Sequence, residues 1–137
     1  MANVVIVSDM IKGFCEKGHA LYCGRAARNI IPNIRRLLQR ELVAGSTILY
    51  VNDGHVPDDE EFKLLPQHCV AGSDEIEIIP ELADYLGQII PKTRYSAFYN
   101  TSLSQKLKQL KPDKLIICGV CTDICVLFTA ADAVYRG

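Results

Sequence analysis

Lys114-Leu-Ile-Ile-Cys-Gly-Val-Cys-Thr-Asp-Ile-Cys-Val126 is the stretch that decides how this chain folds. Leu115 to Cys118 is a short apolar run, and Gly119 breaks it. Thr122 then stands where it can cap a new helix, which puts Cys125 at the third helical position. A strand that turns sharply into a helix and holds a cysteine in the first turn is a mount for a nucleophile. The partial positive charge and free N–H groups of a helix N-terminus both favour a thiolate. Function then depends on whether other segments bring that thiol its partners.

Upstream, Val4-Val-Ile-Val7 is β-branched and apolar on both faces, the pattern of a buried parallel strand. Asp9 stands at its carboxyl end, where open α/β sheets carry their chemistry. Residues 10–24 hold Gly13, Gly18 and Gly24 and read as a loop. Ile30, Ile31, Ile34, Leu37, Leu38 and Leu42 recur at helical spacing within residues 25–43. Pro32 must kink that helix or start it, and Gly45 terminates it. Residues 47–51 form a second strand, followed by an aperiodic connection over residues 54–80; long connections of this kind tend to be functional. Residues 81–86 read as a helical turn, and residues 88–91 as a third strand with Lys92 just past its end. A polar-aromatic loop, a helix over residues 102–110 stopped by Pro112, the fourth strand and a last helix from Thr122 to near Arg136 complete the chain. The alternation predicts a three-layer α/β/α Rossmann-like fold with a parallel sheet.

The 137 residues suit a single domain over residues 1–137. An apolar share of 49% with 23% charged residues excludes a disordered chain. The net charge is −1 and no basic block forms a face for nucleic acid, so that partner is not expected. Lys106, Lys108, Lys111 and Lys114 read as the solvated side and end of one helix. No apolar run reaches membrane-spanning length, and the amino terminus lacks a basic leader. A cytoplasmic protein is expected, with its six cysteines mostly reduced.

Asp9, Lys92 and Cys125 each lie at or just beyond the carboxyl end of a predicted strand, and in a parallel sheet those ends share one rim. If the first and fourth strands are neighbours, Asp9 and Cys125 meet, and a lysine two strands away can reach in. A thiol, a carboxylate base and a cation make an activated nucleophile. Each residue also has a plainer reading: a loop cap, a surface charge and a buried small hydrophobe. Asp53, His55 and His68, with Glu61 between them, form a second constellation, in which neutral imidazoles and carboxylates suit Zn²⁺, Mn²⁺ or Fe²⁺. The spacing Cys118-x-x-Cys121-x-x-x-Cys125 offers a rival cluster site. Cys118 should point into the sheet, however, and no fourth cysteine is suitably spaced.

With these residues assembled, the chain resembles the nicotinamidase and isochorismatase-like cysteine hydrolases over essentially its whole length. Gly119-Val-Cys-Thr-Asp-Ile-Cys-Val126 is similar to the family's nucleophile motif. The resemblance implies a cis peptide between Val120 and Cys121 and the nucleophile at Cys125. Asp9 followed by Phe14 resembles the motif of base and substrate-stacking aromatic, and Lys92 with Tyr95-Ser-Ala-Phe98 the lysine motif. Asp53-Gly-His55 and Pro66-Gln-His-Cys-Val-Ala-Gly72 resemble the metal motif of the nicotinamidase branch, with Glu61 as a further ligand seen in some members. The family's strand order is 3-2-1-4-5-6. Here the pattern ends after the fourth strand and its helix, so the last two strands are expected to be missing. The apolar fourth strand would then need more chain or a partner, such as a second copy in a homo-oligomer, to cover it.

The resemblance implies a metal-dependent amidohydrolase that splits the carboxamide of nicotinamide, or of an analogue such as pyrazinamide, into acid and ammonia. Asp9 would be the base, Lys92 the charge holder and Cys125 the nucleophile. The backbone N–H groups of Cys121 and Cys125 would form the oxyanion hole, with Phe14 and Tyr95 contacting substrate. One divalent ion, zinc first and manganese or iron as alternatives, would be held by Asp53, His55, Glu61 and His68. The alternatives are an N-carbamoyl or ureido amidase, an isochorismatase-like enzyme and a catalytically silent binding member.

Overall fold

All five residues of β1 (Val4–Ser8) are buried, as a β-branched run without a polar face requires. In the computed structural model, which describes residues 2–137, β1 pairs in parallel with β2 (Thr47–Asp53) on one side and β4 (Leu115–Gly119) on the other. β3 (Gln88–Lys92) pairs in parallel with β2. The order β3-β2-β1-β4 is the first part of the order 3-2-1-4-5-6.

Successive strand residues face opposite sides, and two apolar layers result. On one side Val5, Val7, Ile48 and Tyr50 pack with Ile31, Ile34 and Leu38 of α3 (Ile31–Val43). On the other, Ile6, Leu49, Val51 and Ile90 pack with Phe98 and with Leu103 of α4 (Leu103–Leu110). Burying each Leu or Ile of this kind contributes about 1.5–3 kcal/mol. Two short helices precede α3, and we number the set in chain order: α1 (Lys12–Cys15), α2 (Arg25–Asn29), then α3, α4 and α5 (Leu127–Tyr135). Pro32 lies in the first turn of α3, where its missing N–H costs nothing. It therefore starts a helix instead of kinking one, and the periodic stretch is divided into α2 and α3. Residues 81–86 form less helix than expected, a single turn at Pro80–Leu82. Among the described residues no helix is long and apolar enough to cross a membrane.

The carboxyl ends of the strands align. Ser8 is in register with both Val51 and Gly119, and Asp53 with Lys92. Asp9, Asp53, Lys92 and the turn after β4 thus share one rim. That turn departs from expectation in two ways. Among the described residues no peptide bond is cis, so the expected cis bond between Val120 and Cys121 is trans. Gly119 at φ 131° and Cys121 at φ 60° make the reversal through left-handed backbone instead. Thr122 is also not a cap. Cys121 occupies that position, no side chain caps the turn, and Thr122–Val126 forms a wide π-type turn in which the Val126 N–H donates to the Cys121 carbonyl at 3.2 Å. Cys125 is the fourth residue of this turn, one position later than predicted. Gly119 is required by contact as well as by φ. A Cβ there would lie 2.0 Å from the Ser8 carbonyl oxygen.

Candidate active site

Lys92 has no exposed side-chain surface, and four groups surround its ammonium. It donates to Asp53 Oδ1 at 2.6 Å, to the Arg94 carbonyl at 3.1 Å and to Cys125 Sγ at 3.3 Å, and pairs with Asp9 Oδ2 at 3.2 Å. Asp9 is fixed from both sides. Its Oδ1 accepts the Asp53 N–H at 2.8 Å and its Oδ2 accepts the Ser8 hydroxyl at 3.2 Å. Asp9 itself sits at φ 59°, a conformation that turns the chain immediately after β1. A carboxylate oxygen of Asp9, one of Asp53 and Cys125 Sγ all lie within 4.8 Å of one another. The three residues that the sequence placed on one rim are in contact.

Burial opposes the charge on Lys92, but Asp9 and Asp53 outweigh it and hold the ammonium protonated, above its ordinary range. The Cys125 thiol is pushed up, by burial first and then by the charge of Asp9, with Lys92 pulling the other way. Asp9 is raised too, by burial and by Asp53, against the opposing pull of Lys92. Burial and the neighbouring carboxylate thus work against the helix-stabilised thiolate that the first-turn position suggested. The positive charge that matters is a buried ammonium on another strand.

Beyond Asp53 the rim continues into a second cluster. His55 Nε2 lies 3.3 Å from Asp53 Oδ2 and 3.4 Å from Glu61 Oε2. His68 Nε2 lies 3.8 Å and 3.3 Å from the same two oxygens. His55 Nδ1 faces Asp59 Oδ2 at 2.9 Å and His68 Nδ1 faces the Pro66 carbonyl at 2.7 Å. With each Nδ1 facing an outer acceptor, the Nε2 atoms of both rings are the ones left to face an ion, which would take their lone pairs. Donors bound at about 2.0–2.2 Å to a tetrahedral ion stand about 3.3–3.6 Å apart, close to the spacing of this set. The residues fit a divalent ion. Without one, His55 is raised to about 9: burial lowers it, but its bonds to Asp53 and Asp59 dominate.

The isochorismatase domain family matches residues 3–137. This chain belongs to that family. Among solved structures, nicotinamidase/pyrazinamidase PncA from Bacillus subtilis is 35% identical, with a TM-score of 0.90 over all of this chain and 81% of its own. N-carbamoylsarcosine amidase from Thermoplasma acidophilum is 34% identical, with a TM-score of 0.91 over 99% of this chain and 78% of that one. Pyrazinamidase from Pyrococcus horikoshii, solved in complex with zinc, is 29% identical, with a TM-score of 0.90 over all of this chain and 80% of that one.

The remaining predicted residues of this isochorismatase-family chain are placed less uniformly. Phe14 is buried in the core, and its ring meets that of His68 at 5.9 Å and 57°. Tyr95 is on the outside, stacked on Phe128 at 5.8 Å, in a cleft of about 260 Å³ that also touches Glu61 and Arg94. The Cys121 N–H donates to no protein acceptor among the described residues. Sequence reasoning missed Asp59, Arg94 and Phe62. Asp59 braces His55 and is in turn held by Arg94 Nη1 at 3.0 and 3.1 Å. Phe62 packs edge-on against both imidazoles at 5.3 Å. The spacing His55-x-x-x-Asp59 was a usable signal for the brace; nothing in the sequence linked Arg94 to it.

Proposed function

We propose that this chain is a cysteine amidohydrolase that converts nicotinamide, or a close analogue such as pyrazinamide, to the carboxylic acid and ammonia. The observation that carries the reading is the ammonium of Lys92, in contact at once with Asp53, Asp9 and Cys125. Asp9 takes the Cys125 proton, and the sulfur forms a bond to the carboxamide carbon. The N–H groups of Cys121 and Cys125 hold the oxyanion; donors of this kind are worth about 2.7–4 kcal/mol each. The C–N bond breaks as Asp9 returns the proton to the leaving nitrogen, and ammonia departs. Asp9 next deprotonates water, which attacks the thioester, and the Cys125 thiol is restored with release of the acid. Lys92 stays charged throughout and limits the drift of Asp9 between its two states.

Asp53, His55, Glu61 and His68 would hold a divalent ion, zinc first, whose Lewis acidity would anchor the ring nitrogen of a pyridine or pyrazine. Phe14 and Phe62 shape the apolar walls of that corner. A second reading, an N-carbamoyl amidase, is favoured by the likeness to N-carbamoylsarcosine amidase. Ammonia release from nicotinamide, pyrazinamide and carbamoyl amides by metal-loaded protein separates the two. Turnover of the ring carboxamides supports the first reading, and turnover confined to carbamoyl compounds replaces it with the second.

A further inference from the structure

Six cysteines are free, and Cys125 is the only one that the proposed chemistry uses through its sulfur. Cys15 and Cys69 are fully buried, and Cys118 packs against the core. Cys23 and Cys121 differ from these. They come from segments 98 residues apart, both are half-buried, and their sulfurs touch at 3.8 Å. Cys121 is the residue whose left-handed backbone opens the wide turn, and its carbonyl accepts from both Ile124 and Val126. Cys23 lies in the loop before α2, tied by its N–H to the Phe14 carbonyl at 2.8 Å and followed by Gly24 at φ 83°. One sulfur is thus mounted on the turn that carries Cys125, and the other on the loop that Gly24 joins to α2.

We propose that Cys23 and Cys121 are a peroxide-sensitive dithiol whose disulfide switches off the neighbouring thiol site. The Cys23 sulfur attacks a hydroperoxide, the O–O bond breaks, and Cys23 becomes a sulfenic acid with release of water or an alcohol. The Cys121 sulfur then attacks the Cys23 sulfur, the S–O bond breaks, and a second water leaves with the Cys121 proton. The two thiols together lose two electrons and the peroxide gains them. An external dithiol reverses the reaction by exchange. The roles follow the geometry around Cys23: its S–H faces the Leu21 carbonyl at 3.6 Å, which leaves its sulfur to accept from Cys121, and that contact lowers the Cys23 thiol and raises Cys121. A bond requires the sulfurs to approach to about 2.0 Å. Closing that gap draws Cys121 toward the loop and pulls on the turn that seats Cys125 and offers the Cys121 N–H.

The test treats the full reduced chain with one equivalent of hydrogen peroxide. Expected are the loss of two hydrogen masses and a proteolytic peptide pair joined through Cys23 and Cys121. Ammonia release should fall about tenfold to a hundredfold, the scale of a group displaced by about 1 Å, and dithiothreitol should restore it. Cys23→Ser should keep the reduced activity and give neither the mass loss nor the reversible inhibition. The rate of Cys125 alkylation supplies the same contrast without a substrate, so a failure of the amidase reading leaves this test intact. No joined peptide in the wild type, equal inhibition of Cys23→Ser, or a cross-linked protein with unchanged turnover and unchanged Cys125 alkylation would each overturn the proposal.

Discussion

The two clusters on the rim are assembled in opposite ways. Asp9, Lys92 and Cys125 come from three strand ends spread over 117 residues of sequence, and only the sheet register brings them together. Asp53, His55, Glu61 and His68 come from one strand end and the connection after it, within 16 residues. The first depends on close contacts such as Gly119 against Ser8. The second depends on local braces, above all Asp59 on His55. Asp53 belongs to both: Oδ1 faces Lys92 and Oδ2 faces the imidazoles. A carboxylate shared in this way joins the thiol cluster to the imidazole cluster without a common loop.

Four experiments bear on that division. The largest effect is expected from Cys125→Ala, which should lower ammonia release by roughly 10⁴-fold or more while leaving the content of divalent metal unchanged by metal analysis. Loss of bound metal in this variant would show that the clusters are not separable from the thiol side. Lys92→Met should act on both clusters, because it strands two buried carboxylates. A cost of about 3–5 kcal/mol in a denaturant melt is expected, with metal affinity altered through Asp53, whose Oδ1 loses its cation. Unchanged metal affinity would mean that Asp53 does not join the sites. Asp59→Asn should act on the local cluster alone, lowering metal affinity about 10–100-fold with little change in turnover at saturating metal. A drop in turnover that added metal does not rescue would break the assignment of Asp59 as a brace.

The smallest effect is one of pH, and it reports on the strands that underlie both clusters. Burial raises the Cys118 thiol from 9.0 to about 12, and Tyr50, also pushed up by burial, reaches about 12 from 10.0. The folded state keeps these protons where the unfolded chain releases them. Their contribution is complete below pH 9 and is lost as pH rises through 12. Melting temperature should be insensitive to these two groups near neutrality and decline above pH 9. Cys118→Ala should flatten the alkaline slope; an identical slope would remove Cys118 from it.

Much of this was legible in the residues. The apolar runs ending at Asp9, Asp53 and Lys92 marked parallel strands and their chemical ends, because β-branched patterning is a local signal. The pair Asp53-Gly-His55 could be read as neighbouring donors for the same reason, and the structure brings them together at 3.3 Å. Pro32 left two readings open, and the break between α2 and α3, which puts it in the first turn of α3, chose the start over the kink. Tyr95 was placed by motif, yet its ring lies against Phe128 on the outer cleft. Arg94 could not be linked to Asp59 from spacing, since the two meet across a turn of chain 35 residues long.

By itself, then, the sequence determined the alternation of strands and helices, the residues at the strand ends and the donor types available for a metal. Those depend on period and residue chemistry over a few positions. Tertiary structure decided the trans, left-handed turn at Cys121, the burial that pushes the Cys125 thiol up, the double role of Asp53 and the meeting of Cys23 with Cys121. Each of these depends on desolvation or on a contact between distant segments. Burial and charge are properties of the packed neighbourhood, and they outweigh the local helix-end field from which the thiol was first read.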